Sequence, residues 1–140
     1  MPPIRVSADV QRPAADVYAY ATDPSRFREW QKGVVSGHME AGERCVTVRR
    51  IGFADRPSTA EVVHSDPPRS WRVRGIDGPI RALVDVAVAP VADDRSRLTI
   101  AVDFEGHGIG RLLVPLVVRR EARREMPANI AVLKQRLENR

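Results

Sequence analysis

The first third of the chain combines one strand pattern with two helix-start signals. Every second residue from Ile4 to Val10 is apolar, which predicts a half-buried β-strand. Pro13 suits the first turn of a helix, and Asp23 followed by Pro24 is a capping carboxylate before a helix-starting proline. We therefore expect one strand and then two short helices, the first continuing to Ala21 and the second reaching about Trp30.

The middle of the chain is a series of strand patterns interrupted by turn residues. Gly, Pro and Asp mark turns at residues 40–43, 54–57, 65–69, 76–79 and 92–95. The predicted strands between them cover residues 34–39, 45–53, 58–63, 70–75, 80–89 and 97–105. Because all the connections are short, the pattern predicts an antiparallel meander with one apolar and one charged face.

From about Arg111 to the C-terminus the apolar positions follow a helical period. A helix of about 28 residues is roughly 40 Å long and would cover the apolar sheet face. Pro115 fits only its first turn, and Pro127 predicts a kink. On a regular helical wheel the inward stripe contains two arginines, and its members are Leu112, Leu116, Arg119, Arg123, Met126, Ile130 and Leu137.

Composition and charge narrow the class of protein. The 140 residues suit one domain, residues 1–140, and no apolar run approaches the ~20 residues of a membrane span. With no signal-peptide pattern and a single cysteine, Cys45, we expect a cytoplasmic protein without disulfides. Residues 106–140 carry 8 basic and 3 acidic side chains and supply the whole net charge of +5. We do not expect nucleic-acid binding, because Glu121 and Glu125 interrupt this basic segment and no aromatic residues accompany it.

Several local motifs resemble those of a known superfamily. They are Pro13-Ala14-Ala15-Asp16-Val17, Asp23-Pro24 with Trp30, the Asp66-Pro67-Pro68-Arg69 turn, and the helix end Leu133-Lys134-Gln135-Arg136-Leu137. Together with the element order, they resemble the START-like, Bet v 1-like (SRPBCC) superfamily, in particular its polyketide cyclase/dehydrase and lipid-transport branch. The resemblance implies an α+β helix-grip fold, in which a curved antiparallel seven-stranded sheet wraps around a long C-terminal helix. It also implies a cavity that holds lipids, sterols or polyketides.

Few residues have the spacing that catalytic or metal chemistry needs. His38, His64 and His107 lie in different segments, so we expect no metal and no other cofactor. Cys45 is typical of a small buried hydrophobic residue. Residues 106–110, Gly-His-Gly-Ile-Gly, lack the spacing of a phosphate-binding loop and predict a sharp reversal into the long helix.

The predicted strand 45–53 contains a conflict between two registers. If Val46 and Val48 face inward, so does Arg50; if Cys45 and Thr47 face inward, so does Arg49. An inward arginine needs a partner, either a sheet carboxylate such as Glu61 or an acidic ligand. The helical wheel raises the same alternatives for Arg119 and Arg123, and Arg123 is the preferred ligand contact. The candidate cavity residues are Trp30, Arg49, Arg50, Phe53, Trp71, Val73, Val84, Val86, Ile100, Val102, Phe104, Leu116, Arg119 and Arg123.

These observations favour a domain that binds a hydrophobic or acidic amphipathic small molecule between sheet and helix, as a monomer or homodimer. One alternative is a polyketide aromatase/cyclase, although no convergent acid–base set is visible. A second alternative is an interaction module whose basic C-terminal helix docks an acidic surface.

Overall fold

The structure is a computed structural model that describes residues 2–41, 43–51 and 53–140. Gly42 of the predicted turn 40–43, Gly52 of the predicted strand 45–53 and the side chain of Ile51 lie outside the described part. The strands are β1 (Ile4–Val10), β2 (Val34–Glu40), β3 (Arg44–Ile51), β4 (Ala54–Asp66), β5 (Ser70–Gly75), β6 (Ile80–Ala92) and β7 (Arg95–Gly106). The helices are α1 (Ala14–Ala21), a 3-10 helix (Pro24–Glu29), α2 (Gly110–Leu113), a π-helical turn (Val114–Val118) and α3 (Arg119–Glu138).

The seven strands form one antiparallel sheet in the order β1-β7-β6-β5-β4-β3-β2. The register aligns the alternating apolar residues on one face. Ile100 of β7, for example, lies between Val6 of β1 and Val86 of β6. Helix α1 and the 3-10 helix pack on this inner face, and α3 runs beside β1. The predicted α+β helix-grip fold is confirmed.

The turn predicted at residues 54–57 is wrong, because the chain reverses earlier and these residues belong to β4. Pro57 pairs with Val48 of β3 at a position where β5 has already ended. The backbone N–H of Thr59, two residues later on the same side, donates to the Asp77 carboxylate at 3.0 Å rather than to a strand. Pro57 therefore removes no ladder hydrogen bond on that side, and a proline is tolerated in the strand.

The C-terminal helix differs from the predicted wheel because of its π-helical turn. Pro115 lies in this turn, beyond the first turn where the sequence placed it. A π-helical turn holds one extra residue, which rotates everything before it by about 100° relative to everything after it. Val114 and Arg119, five positions apart, are both buried, and Ile130, Leu133 and Leu137 follow on the same side. No helix of the described residues is long and apolar enough to cross a membrane.

Glycines make the predicted reversal between β7 and α2. A Cβ on Gly106 would lie 2.3 Å from the carbonyl oxygen of Gly110, and one on Gly110 would lie 1.9 Å from the carbonyl oxygen of Pro79. Gly108 has a φ of 59°, in the left-handed region. The backbone therefore passes too close to its neighbours for any side chain, and the helix begins directly against the β5–β6 loop.

Candidate functional site

The inner face of the sheet is tightly packed at one end, which we call the closed end. There α1 and the 3-10 helix cover the sheet, and the hydroxyl of Tyr18 donates to the carbonyl of Ser70 at 3.0 Å. Phe27 of the 3-10 helix meets Trp30 and Trp71 edge-on, with ring centroids 5.8 and 6.5 Å apart. Five predicted cavity residues are buried in this core: Trp30, Trp71, Val73, Val86 and Ile100. The aromatic and β-branched side chains fill this end of the interior, and Trp30 borders the other end, because the next residue, Gln31, accepts a hydrogen bond from Arg49.

The packing loosens toward the opposite end of the sheet, which we call the open end, where β3, β5 and β7 finish. Inner-face side chains there keep part of their surface exposed; they are Val62, Val84, Val102 and Phe104. Met126 of α3 packs against the same cluster and is also partly exposed. Partial exposure on an inward face shows that the apolar packing is looser here than at the closed end.

Arg49 lies on the inner face near the open end. Cys45 and Thr47, on the same side of β3, are 4% and 7% exposed, so the register brings Arg49 inward and leaves Arg50 exposed. The guanidinium of Arg49 donates to the side-chain oxygen of Gln31 at 3.3 Å. Within the described residues, no carboxylate oxygen lies within 4.0 Å of it, whereas Arg50 pairs with Asp55 at 2.9 Å.

The electrostatic surroundings of Arg49 leave its charge poorly balanced. Burial lowers the pKa of Arg49, and the carboxylate of Glu125 on α3 offsets this only in part. Its direct cross-strand neighbour is Arg56, a like charge that disfavours the pairing. A partly buried cation beside a second cation is the arrangement that an anionic group would stabilise.

A second unsatisfied polar group lies one residue from Gln31. The indole Nε1–H of Trp30 is buried and has no hydrogen-bond partner among the described residues. The adjacent loop is held to α3 by the backbone N–H of Lys32, which donates to the Asn129 side chain at 3.1 Å. A buried donor without an acceptor is costly, and a ligand acceptor would remove that cost.

Of the two helix arginines, the structure places Arg119 inward as predicted and corrects the placement of Arg123. Arg119 is buried, but it pairs with Asp103 at 2.9 Å and also donates to the carbonyl of Pro2, so its role is structural. Leu116 is exposed, because the π-helical turn rotates the residues before Arg119 relative to those after it. Arg123 lies after this turn, on the same side of α3 as the buried Arg119 and Ile130, and its side chain is nevertheless exposed. Phe53 is fully exposed at the tip of the β3–β4 hairpin, at the open end of the sheet.

No described residue of the inner face changes its charge near neutral pH. His38, His64 and His107 are exposed, and their ring nitrogens lie near Glu40, Ser70 and Glu105 respectively. Burial raises the pKa of the Cys45 thiol to about 11, so the thiol is protonated at neutral pH. Among the described residues, the inner face near Arg49 therefore presents apolar side chains and hydrogen-bond donors and no acid–base pair.

Sequence reasoning missed Gln31, Arg56 and Glu125 as neighbours of Arg49. Arg56 lies in the stretch that the sequence predicts as a turn, and Glu125, which is not a member of the predicted inward stripe, is partly buried in the structure. Only the position of Gln31 directly after Trp30 could have pointed to it. Two open grooves of about 280 and 510 Å³ lie elsewhere, along residues 131–140 of α3 and its end, and contain none of the predicted cavity residues.

The seven-stranded antiparallel sheet and the long C-terminal helix together define the class of START-like helix-grip proteins. The chain belongs to the polyketide cyclase/dehydrase and lipid-transport family, whose model matches residues 1–138. No curated protein matches it in sequence.

Several solved structures share the fold at low sequence identity. The Zhui aromatase/cyclase from Streptomyces sp. R1128 is 13% identical, with 99% of this chain and 94% of that chain covered and a TM-score of 0.81. A START superfamily protein from Mycobacterium smegmatis is 12% identical over 99% of both chains, with a TM-score of 0.77. A conserved protein from Geobacillus kaustophilus is 18% identical, with 96% and 94% of the two chains covered and a TM-score of 0.75.

Proposed function

We propose that this chain, as a single domain over residues 1–140, has a cleft between the sheet and α3 at the open end and binds there an amphipathic small molecule with an acidic or carbonyl head group. The observation that carries the proposal is Arg49, a partly buried cation that lies beside Arg56 and has no carboxylate within 4.0 Å in the described part of the chain. Such a guanidinium forms a short, charge-assisted contact with a carboxylate or an enolate.

The remaining contacts supply the rest of the recognition. The apolar body of the ligand lies along Val84, Val102 and Phe104, whose partly exposed surfaces gain from leaving water. The head group takes the guanidinium of Arg49 and the unpartnered indole N–H of Trp30. This division into an apolar wall and a few polar donors is typical of small-molecule sites.

The test compares a fatty acid with the alcohol of equal chain length. Calorimetric titration of the wild type and of Arg49→Leu measures how much of the affinity depends on the acid. The substitution should cost the acid about 2 kcal/mol, which is roughly thirtyfold in Kd, and change the alcohol by less than threefold. Arg50→Leu is the matched control, because it removes an exposed arginine from the next position of the same strand. Equal losses for acid and alcohol would contradict a role for Arg49 in reading the head group.

The second candidate function is polyketide cyclisation, which the family assignment favours. The cleft would hold a poly-β-keto chain in a folded conformation, and Arg49 would stabilise an enolate oxygen. Incubation of the protein with such a chain, followed by mass analysis, distinguishes the two functions. A carrier returns the compound unchanged, whereas a cyclase accelerates the loss of water and the closure of the ring.

A further inference from the structure

The start of the C-terminal helix exposes a row of aliphatic side chains. Ile109, Leu112, Leu116 and Val117 are between 50% and 68% exposed, and we call them the aliphatic face. They point outward because the π-helical turn brings Val114 and Arg119 to the inner side instead. Clustered aliphatic exposure of this kind marks a contact surface, since it keeps apolar area in water.

Basic side chains flank the aliphatic face. Arg111, Arg120 and Arg123 are exposed, and none has a carboxylate within 4.0 Å among the residues that the structure describes. In contrast, the neighbouring Arg124 is paired with Glu121 at 2.9 Å. Three unpaired cations beside protruding aliphatic residues give the pattern of helices that lie at the surface of a bilayer.

We propose that the aliphatic face docks on a membrane leaflet that contains anionic lipids. Aliphatic side chains enter the acyl boundary, while the long arginine stems let the guanidinium groups reach the phosphates. Self-association through this face would bring the arginines of two copies together, which like-charge repulsion disfavours. An acidic protein would satisfy the arginines but would have to provide a complementary groove for four protruding side chains, whereas a fluid acyl layer adapts to them.

The aliphatic face lies at the open end of the sheet, and this position determines which end of the protein would meet the membrane. The helix begins at the end of the sheet where β7 finishes, which is also where β3 turns into β4. The exposed Phe53 at the hairpin tip therefore lies at the same end as the aliphatic face. Docking there would turn the open end of the cleft toward the leaflet, but the docking itself does not depend on the proposed ligand.

Vesicle sedimentation tests the proposal directly. The wild type should bind phosphatidylcholine vesicles containing 30% phosphatidylglycerol at least tenfold more strongly than pure phosphatidylcholine vesicles, and high salt should reduce the difference. Arg120→Gln with Arg123→Gln should weaken binding about 25-fold, at about fivefold for each arginine near the surface. Leu112→Ser with Leu116→Ser should weaken it at least tenfold. All four side chains are exposed, so these variants keep the core intact.

Two control variants show whether any loss of vesicle binding is specific to the aliphatic face and its arginines. Val91→Ser removes an exposed aliphatic residue at the other end of the sheet, and Arg28→Gln removes an exposed arginine outside the helix; both should bind vesicles within twofold of the wild type. Equal binding to neutral and anionic vesicles, or an unchanged affinity in the two double variants, would overturn the proposal. A dimer in analytical ultracentrifugation that Leu112→Ser with Leu116→Ser dissociates would assign the face to self-association instead. Arg49→Leu should bind vesicles normally, which separates this proposal from the ligand proposal.

Discussion

Arg119 and Asp103 form a buried ion pair, and we expect removal of either member to change the free energy of unfolding by a different amount. The side chain of Arg119 is 3% exposed, whereas that of Asp103 is 39% exposed. Removal of Asp103 leaves a buried guanidinium without its counter-charge, since its remaining partner is the Pro2 carbonyl and its Nε is already unpartnered. Removal of Arg119 leaves a carboxylate that water can still solvate.

The magnitudes follow from this difference in exposure. We expect Asp103→Asn to lower the free energy of unfolding by about 2 kcal/mol, somewhat less than for a fully buried pair because the site borders solvent. Arg119→Met keeps the apolar stem packed and should cost about 1 kcal/mol or less. For a chain of this size, 2 kcal/mol corresponds to a fall in Tm of about 6–8 °C. The double variant should resemble Arg119→Met alone.

Urea unfolding followed by circular dichroism measures the free energy of unfolding of the wild type, the two single variants and the double variant. An unchanged slope of the transition shows that unfolding stays two-state. A larger loss for Arg119→Met than for Asp103→Asn would refute the reasoning, because the carboxylate would then be the member that depends on the pair.

Three further predictions rest on single residues. Gly110→Ala should lower the free energy of unfolding by more than 2 kcal/mol, because its Cβ would lie 1.9 Å from the carbonyl oxygen of Pro79. Gly78→Ala is the control: its Cβ would meet open space and only the φ of 76° is unfavourable, so it should lower the same free energy by about 1 kcal/mol in the same urea assay. The thiol of Cys45, buried and with its pKa raised to about 11, should react with a disulfide reagent at pH 8 at least a hundredfold more slowly in the folded than in the urea-unfolded protein; equal rates would contradict its burial. Burial and the hydrogen bond to Glu29 raise the pKa of Tyr20 to about 12, so the folded state prefers the protonated phenol. The free energy of unfolding should therefore fall as the pH rises from about 10 to 12. Tyr20→Phe should lose this pH dependence, and an unchanged pH profile in that variant would exclude Tyr20 as its source.

The parts of the fold that follow a regular period could be predicted from the sequence. Strand β1 matches its prediction at both ends, because strict alternation leaves one register compatible with a buried face. The reversal after β3 could not be predicted, since Pro57 reads as a turn residue until the early end of β5 is known. The helix stripe was wrong for Leu112 and Leu116, because a π-helical turn interrupts the period without a sequence signal beyond Pro115, whereas Ile130 and Leu137 after that turn are buried as predicted.

The candidate site was predictable only as a choice between alternatives. The sequence showed that either Arg49 or Arg50 faces inward, and the burial of Cys45 and Thr47 identifies Arg49. The lack of a carboxylate near its guanidinium, within the described residues, depends on which residues of other elements come close, and no local pattern encodes that. The unpartnered indole N–H of Trp30 is likewise a property of packing.

The central claim, that the cleft beside Trp30 and Arg49 binds an acidic amphipathic molecule, is tested most directly by the two tryptophan indole signals in a ¹H–¹⁵N spectrum. Trp71→Phe assigns the two signals, and the protein is then titrated with a fatty acid. We expect the Trp30 indole signal to shift in a saturable manner as its N–H gains an acceptor, with a much smaller shift for Trp71, and we expect Arg49→Leu to weaken the response to the acid about thirtyfold. A saturable shift confined to the backbone amides of residues 109–124, with the Trp30 signal unmoved, would contradict the account.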